Sequence, residues 1–148
     1  MMDPREMSGL EFLTALKNGD VEPPSMALTL GFRAVAMEHG TIKFHATPTE
    51  AVLNPMGVVH GGWYGALPDT VLGCAVQTTL PKGRIYTTLE YKVNLTRALP
   101  PGTEVAATGT VQHAGRTTAV ATAEIRGVGD GTLYATGSTT CLLMDLPG

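Results

Sequence analysis

A short glycine-containing run, followed by one carboxylate, carries the side chains best suited to chemistry. His60 precedes the pair Gly61-Gly62 at the predicted start of a helix. Glycines there leave backbone N–H groups unhindered, and the positive end of the helix dipole helps them to stabilise an oxygen that becomes negative during a reaction. Asn54 offers both a donor and an acceptor. Asp69 stands alone among apolar residues, so it must be paired, neutral or functional.

Each of these residues also has a purely structural interpretation. His60 could cap the helix, and Asn54 could fold the loop as an Asx turn. The glycines could permit a tight turn or close packing. Asp69 could be the N-cap of a helix that restarts after Pro68, or a solvated helix residue. The combination of these residues, and not any single one, favours a catalytic site.

One long helix must position these candidates. Between residues 60 and 80 the apolar residues recur at helical spacing, as Leu67, Val71, Leu72, Ala75 and Val76. Pro68 lies inside this segment, removes one backbone donor and predicts a kink or a late start of the helix. The turn formers Pro81 and Gly83 end the element.

Strand-like segments flank this helix. Alternating apolar residues and β-branched residues predict two strands before the helix and four after it: 26–36, 41–46, 85–96, 103–113, 117–126 and 132–144. Turn signals such as Asp130-Gly131 separate them. Residues 8–18 predict a short helix with a capping box from Ser8 and Glu11.

One long helix and about six antiparallel strands make an α+β fold. We therefore predict a single domain over residues 1–148. Within it, residues 1–25 form an N-terminal helical extension and residues 26–144 form the core.

Composition argues against several other functions. Hydrophobic residues make up 43% and charged residues 16% of the chain, and the formal net charge is −3. No basic stripe favours nucleic acid, and no apolar stretch reaches the ~18 residues that span a membrane. Because the start lacks an apolar signal core, we expect a cytoplasmic protein. The two cysteines and four histidines lack metal-binding spacing, so no metal is expected. No GxSxG motif is present to indicate the alternative hydrolase design.

The chemistry-bearing residues form one pattern: Asn54-x-x-Gly57-x-x-His60-Gly61-Gly62, with Asp69 seven residues further on. This pattern resembles the PaaI-like acyl-CoA thioesterases of the hotdog superfamily. The strand and turn TTLEYKVNLTRALPPGTEVAATGTV and the last hairpin HAGRTTAVATAEIRGVGDGTLYATGSTT resemble the same family, so that the likeness covers residues 26–144. The resemblance implies a hotdog fold, in which a six-stranded antiparallel sheet wraps around the long helix.

The resemblance also implies roles for individual residues. The N–H of Gly61 would polarise a thioester carbonyl. Asp69, reaching over from the partner subunit, would act as the nucleophile or as a general base for water. Asn54 and His60 would position the thioester or the water.

Further residues complete this expected site. Thr88, or its neighbour Thr87, would help to hold the attacking water. Arg116 resembles a position that contacts the nucleotide end of coenzyme A, and Arg84 is a second candidate there. No cofactor is implied, since the CoA moiety belongs to the substrate.

The substrate implied by the resemblance is an aryl or medium-chain acyl-CoA. Two subunits would join their sheets edge to edge, and a dimer of dimers would follow. The alternatives are a thioesterase for acyl groups on a carrier protein, which should show a basic docking patch, and a non-catalytic protein that binds acyl-CoA. Pro68 departs from the family pattern and bears on efficiency. Trp63 and Tyr64 either line the acyl pocket or pack in an interface.

Overall fold

The computed structural model describes residues 3–148. Its six strands form one antiparallel sheet in the order β1-β2-β4-β5-β6-β3. The strands are β1 Arg33–Glu38, β2 Thr41–Ala46, β3 Arg84–Leu95, β4 Val105–Ala114, β5 Thr118–Gly127 and β6 Leu133–Asp145. The predicted α+β fold, with two strands before the long helix and four after it, is confirmed.

Three α-helices accompany the sheet: α1 Gly9–Asn18, α2 Ser25–Leu30 and α3 Gly61–Gln77. Two single 3₁₀ turns, Pro4–Glu6 and Glu50–Val52, lie in the connections. The long helix α3 packs on the sheet and contacts β2, β3, β4, β5 and β6. In the part of the chain that the structure describes, no helix is both long and apolar enough to cross a membrane.

The sheet-facing side of α3 forms the centre of the core. Its predicted apolar residues are all completely buried: Leu67, Val71, Leu72, Ala75 and Val76. Burial of each Leu or Val side chain contributes about 1.5–3 kcal/mol to stability. Gly109 of β4 allows the closest approach, because a Cβ there would lie 2.6 Å from the backbone oxygen of Val71. The helix backbone therefore rests directly on the sheet.

The helix α3 continues through Pro68. Of the two expectations for Pro68, a kink or a late start of the helix, the late start is wrong, because the helix already begins at Gly61. For the same reason Asp69 is not an N-cap. Pro68 is completely buried, and its Cβ lies 3.5 Å from where a Cβ on Gly137 of β6 would stand. Packing of the proline ring against the sheet offsets part of the lost backbone hydrogen bond.

The strand predicted for residues 26–36 is wrong in its first half. Residues Ser25–Leu30 form α2, and only Arg33–Glu38 form a strand. The conformation of Pro24, with φ −62° and ψ 147°, leads into the helix, and Gly31 ends it at φ 76° in the left-handed region that glycine favours.

The apolar alternation that predicted this strand does not correspond to burial. Met26 and Leu28 are 55% and 61% exposed, while Ala27 between them is buried. A short helix directs the small Ala27 side chain into the core. The exposed residues Met26 and Leu28 therefore imitated the alternation of apolar residues that is typical of a strand.

The N-terminal extension is fixed to the end of α3. The predicted capping box is present: Ser8 Oγ accepts from the N–H of Glu11 at 3.2 Å, and the Glu11 carboxylate accepts from the N–H of Ser8 at 2.7 Å. The N–H of Gly9 donates to the carbonyl of Leu80 at 2.9 Å. A Cβ on Gly9 would overlap the Gln77 carbonyl, so only glycine fits this contact.

Gly9→Ala should lower the free energy of unfolding by about 1–3 kcal/mol, because the added methyl group forces α1 away from α3. The matched control is Gly129→Ala, since a Cβ on Gly129 meets no atom within 4 Å and its φ is not positive. That control should be neutral or stabilise by up to ~1 kcal/mol. Urea denaturation of both variants tests the contact, and equal effects would contradict it.

Candidate active site

The N-terminus of α3 presents an unoccupied backbone donor. His60 is the N-cap residue, and its Nδ1 accepts a hydrogen bond from the N–H of Gly62 at 2.8 Å. Within residues 3–148, the N–H of Gly61 has no hydrogen-bond acceptor. Because Nδ1 of His60 is an acceptor, the neutral ring carries its proton on Nε2. Capping by His60 thus leaves the Gly61 N–H available for an anionic oxygen at the positive end of the helix dipole.

Asn54 shapes the loop that leads into α3. Its Oδ1 accepts from the N–H of Met56 at 2.9 Å and from the N–H of Val58 at 3.3 Å. These bonds form the Asx turn that the sequence predicted as a purely structural role for Asn54. Gly57 supports the same turn at φ 78°. Since Oδ1 is engaged, the Nδ2 group is the part of Asn54 that can bind another molecule.

Asp69 lies on the side of α3 that faces away from the centre of the core. The residue is half-buried, and no hydrogen bond or ion pair to its carboxylate occurs in the described chain. Burial raises the pKa of this carboxyl above its ordinary value of 3.8. One turn earlier, a Cβ on Gly65 would meet no atom within 4 Å, so the space beside Asp69 is open. Such a carboxylate is suited to act as a base or a nucleophile.

The strand β3 directs the hydroxyl groups of Thr88 and Tyr86 towards α3. Thr88 stands opposite the buried Cys141 of β6 and shares its side of the sheet, whereas Thr87 points to the outer side. Tyr86 also faces inward, and its hydroxyl lies so close to Gly73 that a Cβ there would overlap it. Of the two threonines considered, Thr88 is therefore the one on the same side of the sheet as α3.

Sequence reasoning missed three titratable groups that lie near Asp69. Burial, with a smaller effect from the Asp69 charge, raises the pKa of the Cys74 thiol to about 12. Burial is also the main reason that the pKa values of Tyr86 and Cys141 are raised. All three groups are neutral near pH 7, so none of them carries a charge that could pair with the Asp69 carboxylate. The alternation of β3 could have indicated Tyr86, since it precedes Thr88 by two residues.

Gly61 and Asp69 lie far apart on one continuous helix. They are eight residues apart on α3, which places their Cα atoms about 12 Å apart along the axis at ~1.5 Å per residue. A single thioester carbonyl cannot contact both groups of the same chain. The structure therefore brings His60 and Gly61 together at one end, and Asp69, Thr88 and Tyr86 further along.

The two arginines proposed for phosphate contact lie together. Arg84 binds the Asp145 carboxylate, with Nη1 to Oδ1 at 2.9 Å, and also donates to the backbone carbonyl of Arg116. The Arg116 side chain is exposed and forms no ion pair among residues 3–148. Arg84 lies four residues from Thr88, about 14 Å along an extended strand. In the described chain, no three His, Cys, Asp or Glu residues are grouped so as to hold a metal ion.

Comparison with known families decides the class of the protein. The family model of the thioesterase superfamily matches residues 56–134, which is more than half of the chain and includes Gly61 and Asp69. This chain belongs to the thioesterase superfamily. It is a thioester hydrolase with the hotdog fold. No curated protein sequence matches it.

Solved structures of the thioesterase superfamily fold agree with this assignment. A phenylacetic acid degradation-related protein from Ralstonia eutropha is 30% identical, with 87% of this chain and 97% of that chain covered and a TM-score of 0.80. The E. coli PaaI protein from the phenylacetic acid degradation operon is 23% identical, with 96% and 97% covered and a TM-score of 0.80. A Streptococcus mutans protein bound to acetyl CoA is 24% identical, with 79% and 91% covered and a TM-score of 0.72. The resemblance to PaaI-like hotdog thioesterases is confirmed.

Asp69→Asn should raise the melting temperature at neutral pH, because it removes an unpaired charge from a partly desolvated position. A carboxyl whose pKa is raised by folding destabilises the folded state above that pKa. This penalty disappears as the pH falls through the folded pKa to below the unfolded value. The melting temperatures of the variant and the wild type should therefore differ at pH 7 to 8 and converge towards pH ~4.

Calorimetry across this pH range tests the expectation. Asp20→Asn, at an exposed position, serves as the control and should not change the melting temperature. A lower melting temperature for Asp69→Asn at pH 7 would show that the carboxylate has a stabilising partner.

Proposed function

We propose that the protein hydrolyses acyl-CoA thioesters to a free acid and CoA, with Asp69 as the central carboxylate. The observation that carries this proposal is the half-buried, unpaired carboxylate beside open space. Membership of the thioesterase superfamily supplies the class of bond that is cleaved. The acetyl CoA bound by the Streptococcus mutans protein supports CoA as the carrier of the acyl group.

The proposed chemistry needs one carboxylate and one oxyanion donor. The N–H of Gly61 polarises the thioester carbonyl and stabilises the negative oxygen of the tetrahedral intermediate. Asp69 attacks the carbonyl carbon itself, or removes a proton from the water that attacks it. The C–S bond then breaks, the thiolate of CoA takes up a proton, and water supplies the new oxygen of the acid.

Two copies of the chain must complete each site. The ~12 Å that separates Gly61 from Asp69 along α3 prevents one chain from supplying both groups to the same carbonyl. If two α3 helices lie antiparallel, the Gly61 end of one comes beside the Asp69 turn of the other. The open space beside Gly65 is where the second copy and the substrate would enter.

The strand β3 provides the surface for this pairing. It is the last strand of the sheet, and its 12 residues have a neighbour on one side only. Leu89, Tyr91 and Leu95 on this strand are 58%, 46% and 47% exposed. An unpaired edge with exposed apolar residues favours pairing with a second strand. We propose that two β3 strands pair and that two such dimers form a tetramer.

The remaining site residues position the reactants. The Nε2–H of His60 and the Nδ2 group of Asn54 are donors near the start of α3, where they can orient the thioester. The hydroxyl of Thr88, on the same side of the sheet as Asp69, holds the attacking water. The exposed Arg116, with Arg84 beside it, contacts the phosphates of CoA through surface electrostatics.

Asp69→Asn should reduce turnover at least ~100-fold, because the amide can act neither as base nor as nucleophile. Thiol release should be measured with phenylacetyl, benzoyl, hydroxybenzoyl, short, medium and long acyl-CoAs. Asp20→Asn is the matched control and should keep wild-type activity. Wild-type turnover in Asp69→Asn would refute the site. A wild type that binds acyl-CoA without releasing thiol would instead indicate a non-catalytic binding protein.

Gly61→Pro should reduce kcat by about 10²–10³-fold, because it deletes the N–H that serves as oxyanion donor. Proline is accepted at the first position of a helix, and His60 before it already has a compatible φ of −60° and ψ of 134°. Gly61→Ala is the matched control: its Cβ also approaches the Leu95 side chain, at 2.9 Å, but the N–H is kept. Equal losses in both variants would show that crowding, and not the donor, matters.

The same variant tests whether the site is shared between chains. Refolding inactive Asp69→Asn and Gly61→Pro chains together at equal amounts should restore about one quarter of wild-type activity, since half of the dimers are mixed and each holds one intact site. No recovery, in a mixture shown to contain mixed dimers, would place both groups of each site in one chain.

A further inference from the structure

A half-open, largely apolar cavity of about 420 Å³ lies beneath the N-terminal helices. Its walls come from α1, α2, β1, β2 and α3. The helices α1 and α2 precede the residues matched by the thioesterase family model, which begin at position 56, and have no part in the chemistry described above. Most of the cavity wall therefore lies outside the part of the chain that carries the proposed reaction.

The walls of the cavity are chemically suited to hydrocarbon. Leu13 and Leu16 of α1, Ala27 of α2, and Phe32 and Phe44 line it. Four of these five side chains are buried, and Leu16 packs beside them. An apolar cavity binds apolar ligands, because they leave water and gain dispersion contacts with its walls.

The helix α3 connects this cavity with the reaction centre. Thr70 and Cys74 are the residues of α3 in the cavity wall. Thr70 directly follows Asp69, and Cys74 lies little more than one turn beyond it. Burial raises the pKa of the Cys74 thiol, and the Asp69 charge adds a smaller effect, so the carboxylate is within electrostatic range of the wall. Neighbouring positions on a helix point about 100° apart, so an acyl chain attached to a carbonyl at Asp69 must turn by roughly this angle around α3 to reach the cavity.

The volume of the cavity distinguishes between an aryl acyl group and a medium-chain aliphatic acyl group. An apolar cavity of ~150 Å³ is sufficient for benzene. The cavity here, at about 420 Å³, is nearly three times larger and falls within the ~300–1,000 Å³ typical of small-molecule sites. A single aromatic ring would leave most of it empty, whereas an extended aliphatic chain would fill it.

We propose that this cavity holds the hydrocarbon tail of the acyl group, and that the preferred substrates carry unbranched aliphatic chains of about eight to twelve carbons. This inference rests on the proposed thioesterase function. It assigns α1 and α2 the role of a specificity wall. Lys17 and Arg33, which also border the cavity and are exposed, lie at its rim in contact with solvent.

A cavity-filling variant tests the proposal. Ala27→Phe should shift the preferred chain to six carbons or fewer. Each methylene that is excluded should cost roughly fourfold in affinity, so decanoyl-CoA should lose at least ~10-fold in kcat/KM while butyryl-CoA is unchanged. Ala36→Phe is the matched control, because Ala36 is exposed on β1 and lies outside the cavity. Leu16→Ala, which enlarges the cavity, should shift the preference to longer chains and replaces the first variant if Ala27→Phe does not fold.

The readouts separate this proposal from the proposed function. Binding of non-hydrolysable butyl and decyl thioether analogues of acyl-CoA should be measured by calorimetry beside turnover. Selective loss of decyl binding in Ala27→Phe, and not in Ala36→Phe, supports the cavity whether or not thiol is released. Identical chain-length profiles in wild type, Ala27→Phe and Leu16→Ala, or a wild-type preference for phenylacetyl-CoA over decanoyl-CoA, would overturn it. Absence of turnover with every acyl-CoA would refute the proposed function alone.

Discussion

The packing of α3 on the sheet is the interaction on which the rest of the structure depends. Val71 rests against the backbone of β4 because Gly109 has no side chain, and Pro68 lies against Gly137 of β6. These close contacts fix both the height and the rotation of the helix, since a packed interior does not deform continuously. Once the buried side is fixed, Asp69 has no freedom to face the core. The direction in which Asp69 points is thus a consequence of how the buried residues of α3 fit against the sheet.

The surroundings of Asp69 lower the stability of the folded state. Folding takes the carboxylate partly out of water and offers it no partner in the described chain, which costs free energy. The neutral hydroxyl and thiol groups of Tyr86 and Cys74 nearby do not compensate its charge. A residue that destabilises its own fold is expected where function, rather than packing, has determined the side chain. The extensive core around α3 provides the stability that tolerates this charge.

Features that follow from local periodicity could be predicted from the sequence. The apolar spacing from Leu67 to Val76 predicted α3 because burial recurs with the turn of a helix. The strand expected at residues 26–30 was wrong, because exposed Met26 and Leu28 imitated an alternating pattern. Relations between distant elements were not predictable. The register shift between Thr88 and Glu90 breaks the alternation of β3, so which side chains face Asp69 depends on pairing with β6.

The length of α3 between Gly61 and Asp69 also has a consequence for how activity depends on protein concentration. If each reaction centre takes one half from each of two chains, the number of centres falls with the square of the protein concentration once the dimer dissociates. Specific activity would then decline on dilution, although every chain remains folded. A cell could regulate such an enzyme by the amount of protein it makes, without a separate inhibitor or a modified residue. The dissociation constant of the dimer would thereby set the amount of protein at which activity appears.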